Sequence, residues 1–252
     1  LRLKDVYSGT TVTLFTMGPG RAAEIIREGL YRGADGGYLL TDRAFAGADT
    51  LATSYALATA IKKIGDYDII IGGRQAIDGD TAQVGPQVAE KLGLTQVTYA
   101  EEILNVDEKN RSITVKRHID GGVETVEGPL PIVITVNGSA APCRPRNAKL
   151  VMKFKRALGA QEKAPAPACH PEGVSALSYP ELYEKRPYLN IPEWSVADVD
   201  GDLAQCGLSG SPTKVKAIQN IVFQAKESKT LTGSDKDVED LIVELLANHT
   251  IG

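Results

Sequence analysis

Residues 72–86 have the residue types of a phosphate-binding loop: Gly-Gly-Arg-Gln-Ala-Ile-Asp-Gly-Asp-Thr-Ala-Gln-Val-Gly-Pro. They follow an apolar run, residues 69–71, that predicts a buried strand, and they precede residues 87–92, which predict a helix. Such a loop offers backbone N–H groups to a phosphate, and the helix dipole favours its negative charge. Gly79 and Gly85 would let the backbone approach a ligand closely. The loop is neither a Gly-x-Gly-x-x-Gly motif nor a Walker loop.

The polar residues of this loop indicate more than a phosphate. Thr81 and Gln83 add side-chain donors, whereas Asp78 and Asp80 would repel a bare phosphate and suit ribose hydroxyls or loop caps. Asp80 and Gln83 have the spacing of a capping box, which starts a helix at Thr81. Alternatively, Pro86 is the first helical residue and the preceding glycine is the cap. The simplest alternative is a tight loop whose glycines serve only the turn.

A second strand-to-helix loop, residues 46–50, has related chemistry. Asp49 is a natural N-cap for a long helix that begins at Thr50. Because the loops that follow parallel strands lie along one edge of a sheet, we expect Asp49 and Thr50 to face residues 73–85 across one crevice. An ordinary helix cap with no ligand role is the alternative.

Composition excludes several classes of function. A net charge of −4 and a pI near 5.5 give no bias toward nucleic acid or anionic lipid. No apolar run reaches the ~20 residues of a membrane span. The three cysteines are widely spaced, which favours reduced thiols in a cytoplasmic protein, and the three histidines lack metal-ligand spacing. We expect no metal site and no catalytic side chain.

Strands and helices alternate over residues 11–136, which predicts an α/β fold with a parallel sheet. The predicted strands are 11–16, 38–40, 68–71 and a central strand at 130–136, and the predicted helices are 21–31, 50–64 and 82–92. Residues 112–126 predict a β-hairpin with a turn at 120–122. The helix at 50–64 is expected to bury a stripe of mostly large residues: Leu51, Tyr55, Leu57, Ala58 and Ile61.

The second half of the chain is less regular. A helix at 148–158 carries a basic cluster, interpreted as a solvated helix face or a partner contact, and residues 159–193 predict an extended surface segment. Residues 235–248 predict an amphipathic helix, capped by Ser234 or Asp235, that follows a polar tether. Its apolar stripe needs another surface to cover it.

Several of these segments together resemble the β subunit of electron-transfer flavoproteins. They are residues 45–53, 73–86, 119–124, 145–147 with 152–153, 195–198 and 210–215. The resemblance spans nearly the whole chain. It implies a Rossmann-like domain of the adenosine-nucleotide-binding type with an added β-hairpin and an extended C-terminal arm. The expected divisions are 1–158 for the nucleotide-binding domain, 159–193 for an insertion, 194–225 for a recognition region and 226–252 for the arm. It also implies a strand and loop ahead of Leu1.

The resemblance further implies a nucleotide, either a second FAD or a structural AMP. The 78–86 loop has small residues and so resembles the loop of one branch of the family, whose β subunits bind FAD and take a hydride from NADH. That branch passes one electron through the FAD of an α subunit to a dehydrogenase of the acyl-CoA or 2-hydroxy-acid type. The other electron goes to ferredoxin or flavodoxin. The expected cofactor-binding residues are Asp49, Thr50, Gly73, Arg74, Asp78, Gly79, Asp80, Thr81, Ala82, Gln83, Val84 and Gly85.

Two other functions stay open. In the first, AMP is purely structural and the chain is a docking scaffold, with Leu203 in the 198–212 loop as the dehydrogenase anchor or as a packed loop leucine. In the second, the chain is a free-standing nucleotide-binding module. The amphipathic helix argues against this second function, because the resemblance places it on the α subunit.

Overall fold

The structure is a computed structural model that describes residues 1–162, 183–214 and 230–247. The chain divides into two compact units, Leu1–Lys214 and Val215–Gly252. Part of the predicted insertion, residues 163–182, lies outside the described residues, as do residues 226–229 of the predicted tether.

The first unit alternates helices and strands along its amino-terminal half. Its helices are α1 (Arg2–Val6), α2 (Ala23–Arg32), α3 (Thr50–Ile64), α4 (Val84–Leu92), α5 (Ala148–Phe154) and α6 (Gly207–Gly210). Its strands are β1 (Thr13–Met17), β2 (Gly36–Leu40), β3 (Ile69–Gly73), β4 (Thr95–Asp107), β5 (Ser112–Ile119), β6 (Gly122–Pro129), β7 (Ile132–Val136) and β8 (Glu193–Trp194). The described part of the second unit consists of residues 230–234 and a single helix, α7 (Asp235–Ala247).

The strands form two sheets that contain the predicted parallel arrangement. One sheet has the order β1-β2-β8 and is entirely parallel. The other has the order β3-β7-β4-β5-β6, in which β3, β7 and β4 are parallel and β5 and β6 are the predicted hairpin. Among the described residues, β1 and β3 each pair along one edge only. The α/β class predicted from the sequence is confirmed.

Burial differs between the paired apolar strands β3 and β7. The predicted central strand is confirmed, because Ile132, Val133 and Ile134 of β7 are at most 2% exposed. The prediction that β3 is buried was wrong, since Ile71 is 56% exposed. Ile71 lies in the last strand of its sheet, which pairs along one edge only among the residues that the structure describes.

Helix α3 has the predicted bounds but a different buried side. Its buried residues are small: Ala52, Ser54, Ala56, Ala58 and Ala60. Of the predicted stripe only Ala58 is fully buried, and Leu51 is 40% exposed. Small side chains let α3 approach its neighbours closely, so the larger side chains lie at the margins of the contact.

The end of the predicted surface segment belongs to the core. Tyr183, Leu189 and Ile191 are buried with α2 and Phe154, and β8 extends the first sheet. The prediction of an extended surface segment does not hold for these residues. Helix α5 is also shorter than predicted and ends at Phe154.

Helix α7 keeps its apolar side exposed. Val238, Ile242 and Leu246, spaced four residues apart, are each about half exposed. Ser234 caps the helix as predicted, because its hydroxyl accepts a hydrogen bond of 3.2 Å from the amide of Asp237.

Candidate nucleotide site at the sheet edge

The two predicted loops meet in space. The hydroxyl of Thr50, at the start of α3, donates a hydrogen bond of 2.9 Å to Oε1 of Gln83, at the start of α4. This contact joins the connection after β2 to the connection after β3, although these two strands lie in separate sheets and not in the single sheet that the sequence predicted. It confirms that Thr50 and the glycine-rich loop face each other.

Asp49 is the N-cap of α3. Its Oδ1 accepts hydrogen bonds of 3.0 Å from the amides of Leu51 and Ala52, and its Oδ2 accepts one of 3.1 Å from the amide of Thr213. Burial raises the pKa of this carboxyl, but the amides and the Ser211 hydroxyl outweigh burial and hold the pKa below its ordinary value. Asp49 therefore fixes the crevice by joining residues 211–213 to α3.

The glycine-rich loop is compact and exposed. Asp80 and Ala82 adopt left-handed backbone conformations, with φ of 49° and 52°. The amide of Asp80 donates to the carbonyl of Ala76 at 3.1 Å, and the carboxylate of Asp80 accepts from the side chain of Gln75. Ile77, at the tip, is 98% exposed. The loop therefore holds its shape through its own contacts rather than through burial.

Both predicted starts of the helix that follows the glycine-rich loop, at Thr81 and at Pro86, were wrong. Helix α4 begins at Val84, Gln83 occupies the N-cap position without a side-chain cap hydrogen bond, and Asp80 is held by Gln75 instead. Pro86 is the third helical residue, which is tolerated because amides of the first turn need no intrahelical partner.

The start of α4 presents a row of unused donors. Within the described part of the chain, the amides of residues 81–85 have no hydrogen-bond partner. A side chain at Gly73 or Gly79 would meet no atom within 4 Å, so ligand atoms can approach the backbone there. This combination suits the oxygens of a phosphate or pyrophosphate.

Gly85 fits against the central strand. A Cβ atom at this position would overlap Cγ2 of Thr135, which is 3% exposed. The hydroxyl of Thr135 accepts a hydrogen bond of 3.3 Å from the amide of Tyr99 in β4. A chain of contacts thus connects the start of α4, the end of β7 and β4.

Sequence reasoning missed Tyr99 and Thr135. The guanidinium carbon of Arg74 lies 5.9 Å from the centroid of the Tyr99 ring, so both residues flank the carboxyl edge. Thr135 had a readable signal, since it is the single hydroxyl residue in the apolar run 130–136. Tyr99 had none, because β4 was not predicted as a strand.

A second feature is the loop that carries Leu203. This side chain is 63% exposed in a short turn that Asp202 caps. Leu208 and Leu51 are also exposed, at 58% and 40%. Residues 204–205 and 209–212 line an open cavity of about 390 Å³ together with Leu51. Leu203 is therefore not a packed loop leucine, and its role as a dehydrogenase anchor stays a prediction.

Residues 1–162, 183–214 and 230–247 contain no group of three or more His, Cys, Asp or Glu side chains that could bind a metal ion. None of the helices in these residues is long and apolar enough to cross a membrane.

Parallel strands and a crevice between their connections are features of the α/β class of proteins, in which ligands often bind at this edge. Residues 1–165 match the family model described as "Electron transfer flavoprotein domain", and the chain belongs to this family. The predicted resemblance to its β subunit is confirmed. Electron transfer flavoprotein β subunits pair with an α subunit.

Three relatives illustrate the match. The chain is 41% identical to the "Electron transfer flavoprotein subunit beta" of Clostridium acetobutylicum over 216 residues, which cover 86% of this chain and 69% of the relative. It is 41% identical to the protein of the same name from Megasphaera elsdenii, covering 86% and 70%. It is 38% identical to "Protein FixA" of Azorhizobium caulinodans, covering 96% and 76%.

Proposed function

We propose that this chain is the β subunit of a cytoplasmic αβ flavoprotein and binds its own FAD in the crevice between Thr50 and residues 73–85. In this proposal, electrons from NADH enter at the β-subunit FAD. One leaves through the FAD of the α subunit to an acyl-CoA or 2-hydroxy-acid dehydrogenase, and the other goes to ferredoxin or flavodoxin.

The observation that supports the proposal most is the row of amides at residues 81–85, which have no partner in the described part of the chain, beside open backbone at Gly73 and Gly79. These donors would hold the pyrophosphate of FAD, and the dipole of α4 would favour its charge. The Thr50–Gln83 hydrogen bond orients both side chains at the mouth of the crevice. The residues present therefore fit the phosphate groups of a nucleotide such as FAD.

The remaining loop residues would have distinct roles. Asp78 is exposed and would accept from a ribose hydroxyl, whereas Asp80 is already held by Gln75 and shapes the loop. Arg74 would place a positive charge near the flavin. FAD, when bound, would supply the hydride-accepting and electron-carrying chemistry. The chain itself would bind and orient the cofactor.

The stoichiometry of bound nucleotides tests this proposal. The αβ complex should release two FAD and no AMP per heterodimer, and NADH should bleach the flavin absorption. Gly79→Val should lower the FAD content, because its side chain fills the approach to the backbone. Gly36→Val, at a glycine with open surroundings at the amino end of β2, is the matched control and should keep full FAD content. One FAD with one AMP per heterodimer would contradict the proposal.

A second candidate is an AMP-binding scaffold that docks a dehydrogenase. The exposed Leu203 and Leu208 beside an open cavity favour a docking role. The exposed apolar side of α7 would pack against the α subunit. In this case AMP would occupy the same amides, and NADH would not bleach the bound flavin.

A further inference from the structure

Tyr99 lies at an irregularity in β4. Strands β4 and β7 are parallel, with Val97 opposite Ile134 and Ala100 opposite Val136. Since β4 uses three steps where β7 uses two, β4 contains one extra residue and forms a bulge. Tyr99 sits in this bulge with φ of 56°, a left-handed conformation that a bulky aromatic residue rarely adopts.

Three hydrogen bonds hold the bulge in place. The Arg117 side chain donates to the carbonyl of Thr98 at 2.8 Å and to its hydroxyl at 2.9 Å. The amide of Tyr99 donates to the hydroxyl of Thr135 at 3.3 Å. Glu124 in turn holds Arg117 through an ion pair of 2.7 Å. The unfavourable conformation is therefore imposed from both neighbouring strands.

The bulge presents the Tyr99 ring at the carboxyl edge of the sheet. The ring is not covered, since the residue is 36% exposed, and the Arg74 guanidinium lies 5.9 Å from the ring centroid. Arg74 follows β3 and Tyr99 belongs to β4, so the pair spans β7, which lies between these two strands. Both residues adjoin the crevice, because Thr135 links Tyr99 to Gly85 at the start of α4.

We propose that Tyr99 and Arg74 form the stacking surface for a planar ring of the bound nucleotide, isoalloxazine or adenine. An aromatic face and a guanidinium plane both stack on such rings. Backbone strain maintained by its surroundings clusters at ligand-contact positions, and here it holds the ring beside Arg74, a residue of the glycine-rich loop. This inference rests on the proposed nucleotide site and adds a specificity-determining residue to it.

Tyr99→Gly tests the inference, because glycine adopts this backbone conformation without strain and removes only the ring. We expect nucleotide affinity of the αβ complex to fall about 5- to 100-fold, the range expected for loss of one stacking ring. Tyr99→Phe should retain affinity. The thermal unfolding midpoint of the nucleotide-free Tyr99→Gly complex should stay close to that of the wild type, because relief of the left-handed conformation offsets the entropy that glycine adds to the unfolded chain. This measurement separates lost stacking from lost folding.

Titrations with FAD and AMP separate the two rings. If isoalloxazine stacks here, Tyr99→Gly weakens FAD and leaves AMP unchanged; if adenine stacks, both weaken equally. Unchanged affinity for both would overturn the inference while leaving the nucleotide site intact. Failure of the wild-type complex to bind either nucleotide would overturn the proposed function itself.

Discussion

Replacing Gly85 with alanine should displace the start of α4 from the central strand. The new Cβ would lie within 3.0 Å of Thr135 Cγ2, closer than real Cβ contacts come, and Thr135 is too buried to move freely. Such overpacking costs about 1–3 kcal/mol, while the gain in helix propensity is at most about 1 kcal/mol. We therefore expect Gly85→Ala to destabilise the protein by about 1–2 kcal/mol.

Thr135→Ser is the second substitution of a double-mutant cycle with Gly85→Ala. It removes the methyl group that the alanine would strike but keeps the hydroxyl that accepts from Tyr99. Alone it should cost about 1 kcal/mol, the value of one buried methyl group. The double variant should be no less stable than Thr135→Ser, so the two changes should couple by about 1–2 kcal/mol. Urea unfolding of the four αβ complexes measures this coupling.

The amount of FAD retained by the same four complexes is a second measurement of the coupling. Gly85→Ala moves amides of residues 81–85 and should weaken FAD binding, and the double variant should regain it. Effects on stability that add within about 0.5 kcal/mol would refute the close packing of α4 on β7 as the feature that positions these amides.

Two other predictions follow from the caps and the exposed surfaces. The folded pKa of Asp49 is lowered, so its stabilising effect is complete above its unfolded pKa, near 4, and is lost as pH falls through the folded pKa. The wild type should therefore be more stable than Asp49→Ala by about 1 kcal/mol at pH 7, and this difference should shrink in urea unfolding experiments at acid pH. A difference that stays constant with pH would contradict the role of the charged Asp49 carboxylate in the cap. Leu203→Ala should slow electron transfer to the dehydrogenase at least several-fold without changing FAD content, whereas Leu104→Ala, at another exposed leucine, should not. Equal rates for the two variants would contradict the anchor.

Local chemistry made much of the site predictable. Asp49 was recognisable as the cap of α3 because its type and position match a helix start. That Thr50 faces residues 73–85 was also predicted, although the prediction assumed one parallel sheet and the strands that precede the two loops lie in separate sheets. By contrast, the start of α4 was misjudged because the loop satisfies Asp80 through Gln75, a contact that spacing does not reveal.

Strand β4 was not predicted because its bulges destroy the alternation of a strand. Val97, Ala100, Ile103 and Val106 recur every three residues, although they pack on one core. Register shifts after Val97, Ala100 and Ile103 reset the side of the sheet that each residue faces. Tyr99 could not be assigned to the site without this strand.

The buried side of α3 could not be predicted from the periodicity of its apolar residues either. An apolar stripe gives most weight to large residues, whereas this helix packs through alanines and Ser54. The spacing between packed layers is a tertiary property, and it decides whether a leucine or an alanine fits at the contact.

The position of the nucleotide in the purified αβ complex tests the central claim most directly. A crystal structure of that complex should show the FAD pyrophosphate oxygens about 2.7–3.2 Å from amides of residues 81–85, beside the Thr50–Gln83 contact. A nucleotide bound elsewhere on the chain, with these amides facing solvent, would contradict the account.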